Sequence, residues 1–519
     1  MANSTPAAPP PPLHGTALVV GTVSLSLATF MNVLDTSIAN VSLPAIAGDL
    51  GVSPNQGTWV ITSFAVANAI SVPLTGWLTQ RFGAVRLFVT SILLFTLASW
   101  LCGFAPSLSM LIAFRVLQGL VAGPMIPLSQ TLLLASYPAA KAGTALAMWS
   151  VTTLVAPVVG PLLGGWVTDN ASWPWIFYIN VPVGLIAAAM TWSVYHKRET
   201  ATHKRPIDVV GLGLLVTWVG SLQIMLDKGR ELDWFSSNLI VALAVIAALG
   251  FALFIAWELT DEHPVVDLRL FAGRNFSLGT MSLAVAYALF FGNVVLLPLW
   301  LQQFMGFTAT TAGMALAPVG VFAILLSPWV GRNVGRIDPR RLVTVAFCVF
   351  ALVLWMRSHF TTGSDLTTIL VPTVVQGVAM AFFFIPLTAI ALSGIPPHRI
   401  AAAAGLSNFA RITAGAFGTS IATTLWDNRA ALHHAHLTEQ LNYANETFTG
   451  TLSKLSHLGL TQLQSSELIN RLIDQQAYTR SADDIFLGSA WLFLSLIALI
   501  WLAKPIQGPT DASAAGGAH

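Results

Sequence analysis

Charge is what this chain has least of. Asp, Glu, Lys and Arg make up only 9% of its 519 residues, against 55% hydrophobic residues. A soluble domain carries about 25% charged residues. The polar surface available here cannot cover a soluble globule, so the sequence reads as a polytopic membrane protein. The net charge of +2 says nothing about nucleic acid, and no nucleic-acid partner is expected. Cysteine is nearly absent as well. Cys102 and Cys348 both lie in apolar runs, which argues against a disulfide framework and for small core residues. No Gly-x-x-x-x-Gly-Lys-Ser/Thr occurs, so there is no P-loop for ATP. His433-His434-x-His436 has no Cys or acidic cluster to complete a metal site. No nucleophile–base arrangement stands out. The expectation is a chain that is not an enzyme and carries no metal or cofactor. Residues 1–12 contain no Lys or Arg, so no cleavable signal is expected ahead of the first apolar run, only a disordered Pro- and Ala-rich tail.

Long apolar runs are what the chain has in abundance. They recur at about 16–42, 57–80, 86–105, 108–131, 142–167, 174–195, 209–227, 238–259, 275–301, 309–331, 341–359, 366–392, 400–426 and 485–503. Each can cross a hydrocarbon core of about 30 Å as a helix. Open-ended segments in lipid must satisfy their backbone groups internally, which leaves the helix as the spanning element. The fold class is therefore all-α, with fourteen spans. Lys and Arg concentrate in one set of alternating loops, among them Arg81, Arg86, Lys141, Lys197, Arg336 and Arg341. That bias assigns this set to the cytoplasm, with both termini inside and the polar stretch 427–484 outside. Leu452, Leu455, Leu463 and Leu472 suggest amphipathic helices within that stretch.

The chain also repeats itself. Pro73, Gly76, Arg81, Arg86 and Leu87 recur as Pro328, Gly331, Arg336, Arg341 and Leu342, at a shift of 255. Gln118-Gly119 recurs as Gln376-Gly377, and Gly160 as Gly418, at a shift of 258. The expected organisation is two six-helix bundles, 15–196 and 275–504, flanking two inserted spans in 197–274, with tails 1–14 and 505–519. Parallel halves related by an axis along the membrane normal place a substrate site at their interface.

Asp35 is the residue most out of place. A carboxylate at bilayer depth costs roughly 2.5–3.5 kcal/mol on insertion scales, and such a group faces a protein interior or a water path. Asp35 lies roughly 7 Å outward of the middle of span 1, and Arg115 roughly 10 Å from the outer end of span 4. Their similar depth permits an interaction. Either Asp35 binds and releases protons with Arg115 tuning it, or the two form a fixed tie between spans. Arg411, near the middle of span 13, either meets an anionic substrate group or caps carbonyls. Arg357, near the outer end of span 11, reads as a snorkelling residue. Asp227 and Glu258, at span ends, read as hydrated. Gly160 and Gly164 form a small-xxx-small surface, and Pro157 and Pro161 permit bending. Span 5 is expected to pack tightly at the seam between the halves. Met31, Asn32, Asn68, Gln130, Asn293, Phe383 and Phe384 are candidates for the cavity wall. The Arg81/Arg86 and Arg336/Arg341 pairs are topology signals, or grips on helix C-termini at an inner gate.

Several of these stretches resemble the major facilitator superfamily, in particular its fourteen-helix drug:proton antiporter branch. Gly76-x-Leu78-x-x-Arg81-x-Gly83-x-x-Arg86 resembles the family's loop motif, with Gln80 where that motif usually carries an acid. Arg115-x-x-Gln118-Gly119 resembles the motif linked to proton coupling. Pro157-x-x-Gly160-Pro161-x-x-Gly164-Gly165 resembles the antiporter motif. Leu34-Asp35-Thr36 resembles the first-helix motif of the branch. Gln56-Gly57-Thr58-Trp59 and Glu231-Leu232-Asp233-Trp234 are similar to EmrB-type exporters of Gram-negative bacteria. The resemblance implies proton coupling at Asp35 and Arg115 and a cytoplasmic gate at Gly76, Arg81, Gly83 and Arg86. It implies export of hydrophobic or amphiphilic drugs by alternating access, driven by the proton gradient across the bacterial inner membrane. It also implies a tripartite pump, with a periplasmic adaptor (EmrA-like) and an outer-membrane channel (TolC-like). A related fatty-acid exporter has similar stretches, so a physiological amphiphile is the alternative substrate. A membrane receptor or scaffold is the alternative of another class.

Overall fold

The structure, a computed structural model, describes residues 11–505 except 53, 139–140, 203–205, 207, 263, 308 and 440–445. Most of the expected tail 1–14 and nearly all of 505–519 fall outside the described residues, as do the side chains of Pro157 and Pro161. Among the described residues, twelve helices are long and apolar enough to cross a membrane. Two further long helices, Ala142–Asn170 and Ile400–Glu439, stand where spans 5 and 13 are expected. In chain order these are α1 (Gly15–Asp49), α2 (Trp59–Phe82), α3 (Ala84–Gly103), α4 (Leu108–Ser136), α5 (Ala142–Asn170), α6 (Trp175–Tyr195) and α7 (Val209–Lys228). There follow α8 (Asn238–Thr260), α9 (Arg274–Gln303), α10 (Thr311–Asn333), α11 (Pro339–Arg357), α12 (Leu366–Leu392), α13 (Ile400–Glu439) and α14 (Gln462–Trp501).

The few polar residues beside the apolar runs start these helices. Asp208 accepts the Gly211 N–H at 2.8 Å, Asp338 that of Arg340 at 3.0 Å and Asp365 that of Thr368 at 2.9 Å. Each satisfies one of the orphan donors of a helix N-terminus. Thr461 and Gln464 form a capping box on α14.

Helices α13 and α14 overrun the spans expected at 400–426 and 485–503. The polar stretch 427–484 is mostly their continuation, joined by a short helix, Glu446–His457. Hydropathy marks only the part of a helix that meets lipid, while the backbone ladder continues into water unchanged. The two extensions are tied together. Trp426 Nε1 donates to the Tyr478 carbonyl at 2.9 Å, and Ser481 Oγ to the Trp426 carbonyl at 2.7 Å. Arg429 and His433 both meet Asp484, at 2.6 and 2.8 Å. His434 turns to Asn470 at 3.1 Å. Among the described residues, no group of three potential ligands gathers for a metal.

Helices α1–α6 pack chiefly on one another, and α9–α14 likewise. The first group buries Phe64, Phe88, Phe95 and Met125, the second Trp300, Phe347, Phe350 and Phe493. Helix α7 lies against α2 and α13. There the Thr62 hydroxyl bonds the Asp227 carboxylate, and Ser420 Oγ donates to the Leu226 carbonyl at 2.5 Å. Asp227 is thus engaged across helices, although its residue surface is exposed. Glu258 is not at the surface: it is fully buried, and its Oε2 accepts the Val266 N–H at 3.1 Å.

The groups meet along α2–α13 and α5–α10. A Cβ on Gly76 would stand 2.6 Å from that of Ala402, and one on Gly331 would stand 2.8 Å from that of Ala147. Gly331 and Gly143 face each other in the second contact. Gly76 and Gly331 are the repeat-related pair, so the two closures are counterparts at the arginine-rich ends. The expectation for Gly160 and Gly164 is corrected here. They do approach a neighbour closely, but that neighbour is α1. Their added Cβ atoms would lie 2.6 Å from Ser37 Cβ and 2.8 Å from Ile38 Cγ1. A small-xxx-small pattern predicts close approach without naming the partner. The seam-facing glycine of α5 is Gly143.

Gly160→Leu is expected to cost about 1–3 kcal/mol through overpacking, lowering Tm and abolishing transport. Gly165→Leu is the control, because its Cβ would meet nothing within 4 Å. Thermal unfolding and transport rates of the two variants check this; wild-type rates in Gly160→Leu would remove the α1–α5 contact from the cycle.

Candidate functional site: a sealed ion pair and a cavity at the seam

Asp35 and Arg115 form an ion pair, Nη1 to Oδ2, at 2.6 Å, and both side chains are 0% exposed. The remaining oxygen, Oδ1, accepts Gln118 Nε2 at 3.0 Å and Asn180 Nδ2 at 2.8 Å. Arg115 also donates to the Val60 carbonyl at 3.0 Å and to Gln118 Oε1 at 2.6 Å. Gln118 in turn donates to Ser99 Oγ at 2.8 Å. The guanidinium carbon lies 4.3 Å from the Phe64 ring centroid and 5.5 Å from that of Phe177. Helices α1, α2, α3, α4 and α6 thus all contribute to one network. Desolvating two charges costs several kcal/mol each, and only close pairing with further hydrogen bonds offsets it. Both carboxylate oxygens are paired here and Asp35 is shut off from the surface, while Arg115 Nη2 is left buried without a hydrogen-bond partner.

The depth argument correctly paired Asp35 with Arg115. It did not foresee Ser99 and Asn180. Gln118 stood in the sequence within the Arg115-x-x-Gln118-Gly119 motif; Asn180 is an amide in an apolar run, and Ser99 carried no signal of its own.

Arg411 lies at the seam, 4% exposed. It borders a cavity with Gln130, Trp149, Phe384, Thr388, Ser407 and Asn408. Its Nη2 donates to Asn408 Oδ1 at 2.6 Å, and Asn408 Nδ2 donates across the seam to Gln130 Oε1 at 3.1 Å. The guanidinium sits among three rings, 4.7 Å from Tyr287, 5.7 Å from Phe384 and 5.8 Å from Trp149. Its Nε is buried without a hydrogen-bond partner. Of the predicted wall residues, Gln130, Phe384 and Arg411 come together here. Four others do not. Met31 is buried in the core of the first group and Phe383 in that of the second. Asn32 is turned to the Ala122 carbonyl at 3.2 Å. Asn293 lines a separate cavity. Asn68 is half-buried, with Oδ1 unpartnered. Periodicity marks buried faces and cannot say which cavity they border.

At the loop motif, Gly83 takes φ +88° and turns the chain between α2 and α3. Glu199 caps α3 there, accepting the Val85 and Arg86 N–H groups at 3.0 and 2.8 Å. Its carboxylate also lies 3.9 Å from exposed Arg86 Nε. The acid at this loop is therefore Glu199, from beyond α6. Arg81 stacks over Trp77, with its guanidinium carbon 5.5 Å from the ring centroid. In the counterpart loop, burial raises the Asp338 carboxyl, but hydrogen bonds from the Arg340 side chain and backbone outweigh it and hold it below the usual range.

An all-helical multi-pass membrane protein with a sealed intramembrane ion pair and a cavity between two helix groups belongs to the class of membrane transporters. The model of the Major Facilitator Superfamily matches residues 25–419, and the chain belongs to that family. It is 54% identical to the multidrug export protein EmrB of Escherichia coli strain K12, over 98% of this chain and 99% of that one. It is 49% identical to the fatty acid resistance protein FarB of Neisseria gonorrhoeae, over 95% of this chain and 98% of that one. The human organic anion transporter MFSD10 (TETRAN) shares the fold, with a TM-score of 0.61 at 13% identity, covering 94% of this chain and 100% of that one.

Asp35→Asn leaves Arg115 buried without a counter-charge, which costs about 3–5 kcal/mol. The variant is expected to insert, unfold at lower temperature and lose coupling. Asp35→Asn combined with Arg115→Gln should recover most of the stability but none of the coupling. Full coupled transport by Asp35→Asn in vesicles would remove Asp35 from the mechanism.

Proposed function

We propose that this protein is a proton-coupled antiporter that exports hydrophobic or amphiphilic drugs by alternating access across the bacterial inner membrane. The observation that carries this reading is the Asp35–Arg115 pair, sealed at 0% exposure in one half while a polar-and-aromatic cavity lies at the seam. Separation of α1 from α4 and α6 exposes Asp35 and admits a proton. Neutralising Asp35 weakens its hold on Arg115, and the network relaxes toward the alternative packing. One charge crossing 100 mV is worth about 2.3 kcal/mol, enough to sustain a substantial substrate gradient. Arg411 and its aromatic neighbours suit an amphiphile with an anionic or polar head and an apolar body. The names of the relatives, multidrug export and fatty acid resistance, support the drug reading first and the fatty-acid reading second. The arginine-rich ends face the cytoplasm, with both termini inside, and Gly76, Arg81, Gly83 and Arg86 form part of the gate there.

Outside, the paired extensions of α13 and α14 form the docking element for a periplasmic adaptor that leads to an outer-membrane channel. At 1.5 Å per residue, α13 runs roughly 20 Å beyond Trp426.

In proteoliposomes with a proton gradient, drug addition is expected to drive proton movement, with fatty acids competing to the extent that they share the cavity. A protein that binds these compounds without moving protons would be a receptor instead. Deleting 440–475 should spare insertion and proteoliposome transport but abolish whole-cell resistance; unchanged resistance would sink the docking role.

A further inference from the structure

The turn that joins α7 to α8, residues 228–237, fastens onto both helix groups at the ends opposite the arginine-rich loops. On the first group it grips the start of α2. Lys228 is 7% exposed, and its Nζ donates to Thr58 Oγ1 at 2.5 Å and to Glu231 Oε2 at 3.0 Å. The same Nζ stands 5.5 Å from the Trp59 ring centroid. The bond from Thr62 to Asp227 adds to this grip. On the second group the turn grips α13. Arg230 Nε meets Asp427 Oδ2 at 2.7 Å, and Trp234 Nε1 donates to Thr424 Oγ1 at 2.9 Å. Next to them Ser420 holds the Leu226 carbonyl. Helices α2 and α13 are thus tied through a third element that belongs to neither group.

The two grips differ in kind. Lys228 is buried, whereas the Arg230 and Asp427 side chains are 48% and 31% exposed. Water replaces either partner of such an exposed pair at little cost. The α13 grip is also strained. Asp233 and Trp234 take φ +53° and +49°, a left-handed backbone that a bulky residue rarely adopts. Such a conformation persists only where its surroundings hold it. Three contacts hold Trp234. Its N–H donates to the Gly229 carbonyl at 2.7 Å, its indole bonds Thr424, and its ring lies over Gly229, where a Cβ would stand 2.6 Å from it. Letting go of Thr424 removes one of the three. When the groups rock about the glycine contacts at the arginine-rich ends, the opposite ends of α2 and α13 move apart. The turn cannot follow both.

We propose that this turn is a latch over the outer end of the seam: it stays with α2 and releases α13 when the outer ends part. The inference rests on the alternating-access reading above. The backbone strain at Asp233 and Trp234 favours release, and the bonds to Thr424 and Asp427 oppose it.

The test uses the full chain in lipid, with Cys348→Ala as the background so that added cysteines react alone at the surface. Arg230→Cys with Asp427→Cys is bridged by a short, reducible bis-thiosulfonate reagent, and each bridged protein is compared with its own reduced form. The bridge is expected to cut rhodamine 6G-driven proton movement in proteoliposomes at least tenfold, with recovery on reduction. Thr58→Cys with Glu231→Cys, bridged in the same way across the α2 grip, is expected to keep at least half of its rate. A second readout needs no transport. Spin labels at 230 and 427 should show a dipolar-broadened spectrum, with a fraction of molecules losing the broadening at pH 5 or with rhodamine 6G. Asp233→Gly accepts the left-handed backbone without strain, and should raise Tm and shrink that fraction. Unchanged rates with the 230–427 bridge would overturn the latch, as would equal loss with both bridges, broadening that persists in every condition, or a fraction that Asp233→Gly leaves unaltered. Reduced proteins that move no protons with rhodamine 6G or decanoate would count against the antiport reading instead, and the spin-label spectra would still decide the latch.

Discussion

The structure depends on one constraint: a carboxylate held where water is absent must be matched in full. Asp35 is matched by a guanidinium and two amides drawn from α4 and α6, and Arg115 is matched in turn by a carbonyl of α2. Around this the packing of the first group follows. Gly160 and Gly164 let α5 lie directly against α1 two to three residues past Asp35. Phe64 and Phe177 shield the guanidinium. No single helix moves without disturbing the match, so the position of α1 and the charge on Asp35 are tied together.

The seam between the groups has a different character. Its closest approaches, Gly76 with Ala402 and Gly331 with Gly143, bring backbones together through small residues. Such contacts rest on van der Waals packing rather than on a hydrophobic gain, because lipid tails are as apolar as the side chains. A rocking motion has to part them first. The Arg411 cavity also lies at the seam, where, among the described residues, the hydrogen bond from Asn408 to Gln130 links the groups. Helix α7 adds a second bridge through Thr62 and Ser420.

The two halves use one framework for unlike electrostatics. The Gln-Gly of α4 and α12 occupies the same place in each, and each glutamine gathers polar groups from the neighbouring helices. Only the first-half network around the glutamine pairs both signs of charge. Duplicated geometry therefore does not imply duplicated chemistry. Asn293 and Arg357 stand where Asp35 and Ser99 recur at the shift of 258, so an ion pair in one half is a cation held by neutral groups in the other.

How much of this was legible before the fold was known follows from what kind of property each feature is. Span positions, helix caps and the two-part organisation depend on local hydropathy, local hydrogen bonding and repeat spacing, and these are one-dimensional. The pairing of Asp35 with Arg115 was accessible because depth in a membrane is nearly one-dimensional too. Which neighbour Gly160 meets, that Arg357 turns inward to Gln376, that Glu199 caps α3 and how far α13 and α14 extend past their apolar spans were not accessible. Each depends on which helix face meets which, and that is settled by packing among residues far apart in the chain. The sequence by itself determined that a charge had to be buried in α1. Only the tertiary structure decided that it would be sealed on every side, because the partners that seal it come from four other helices.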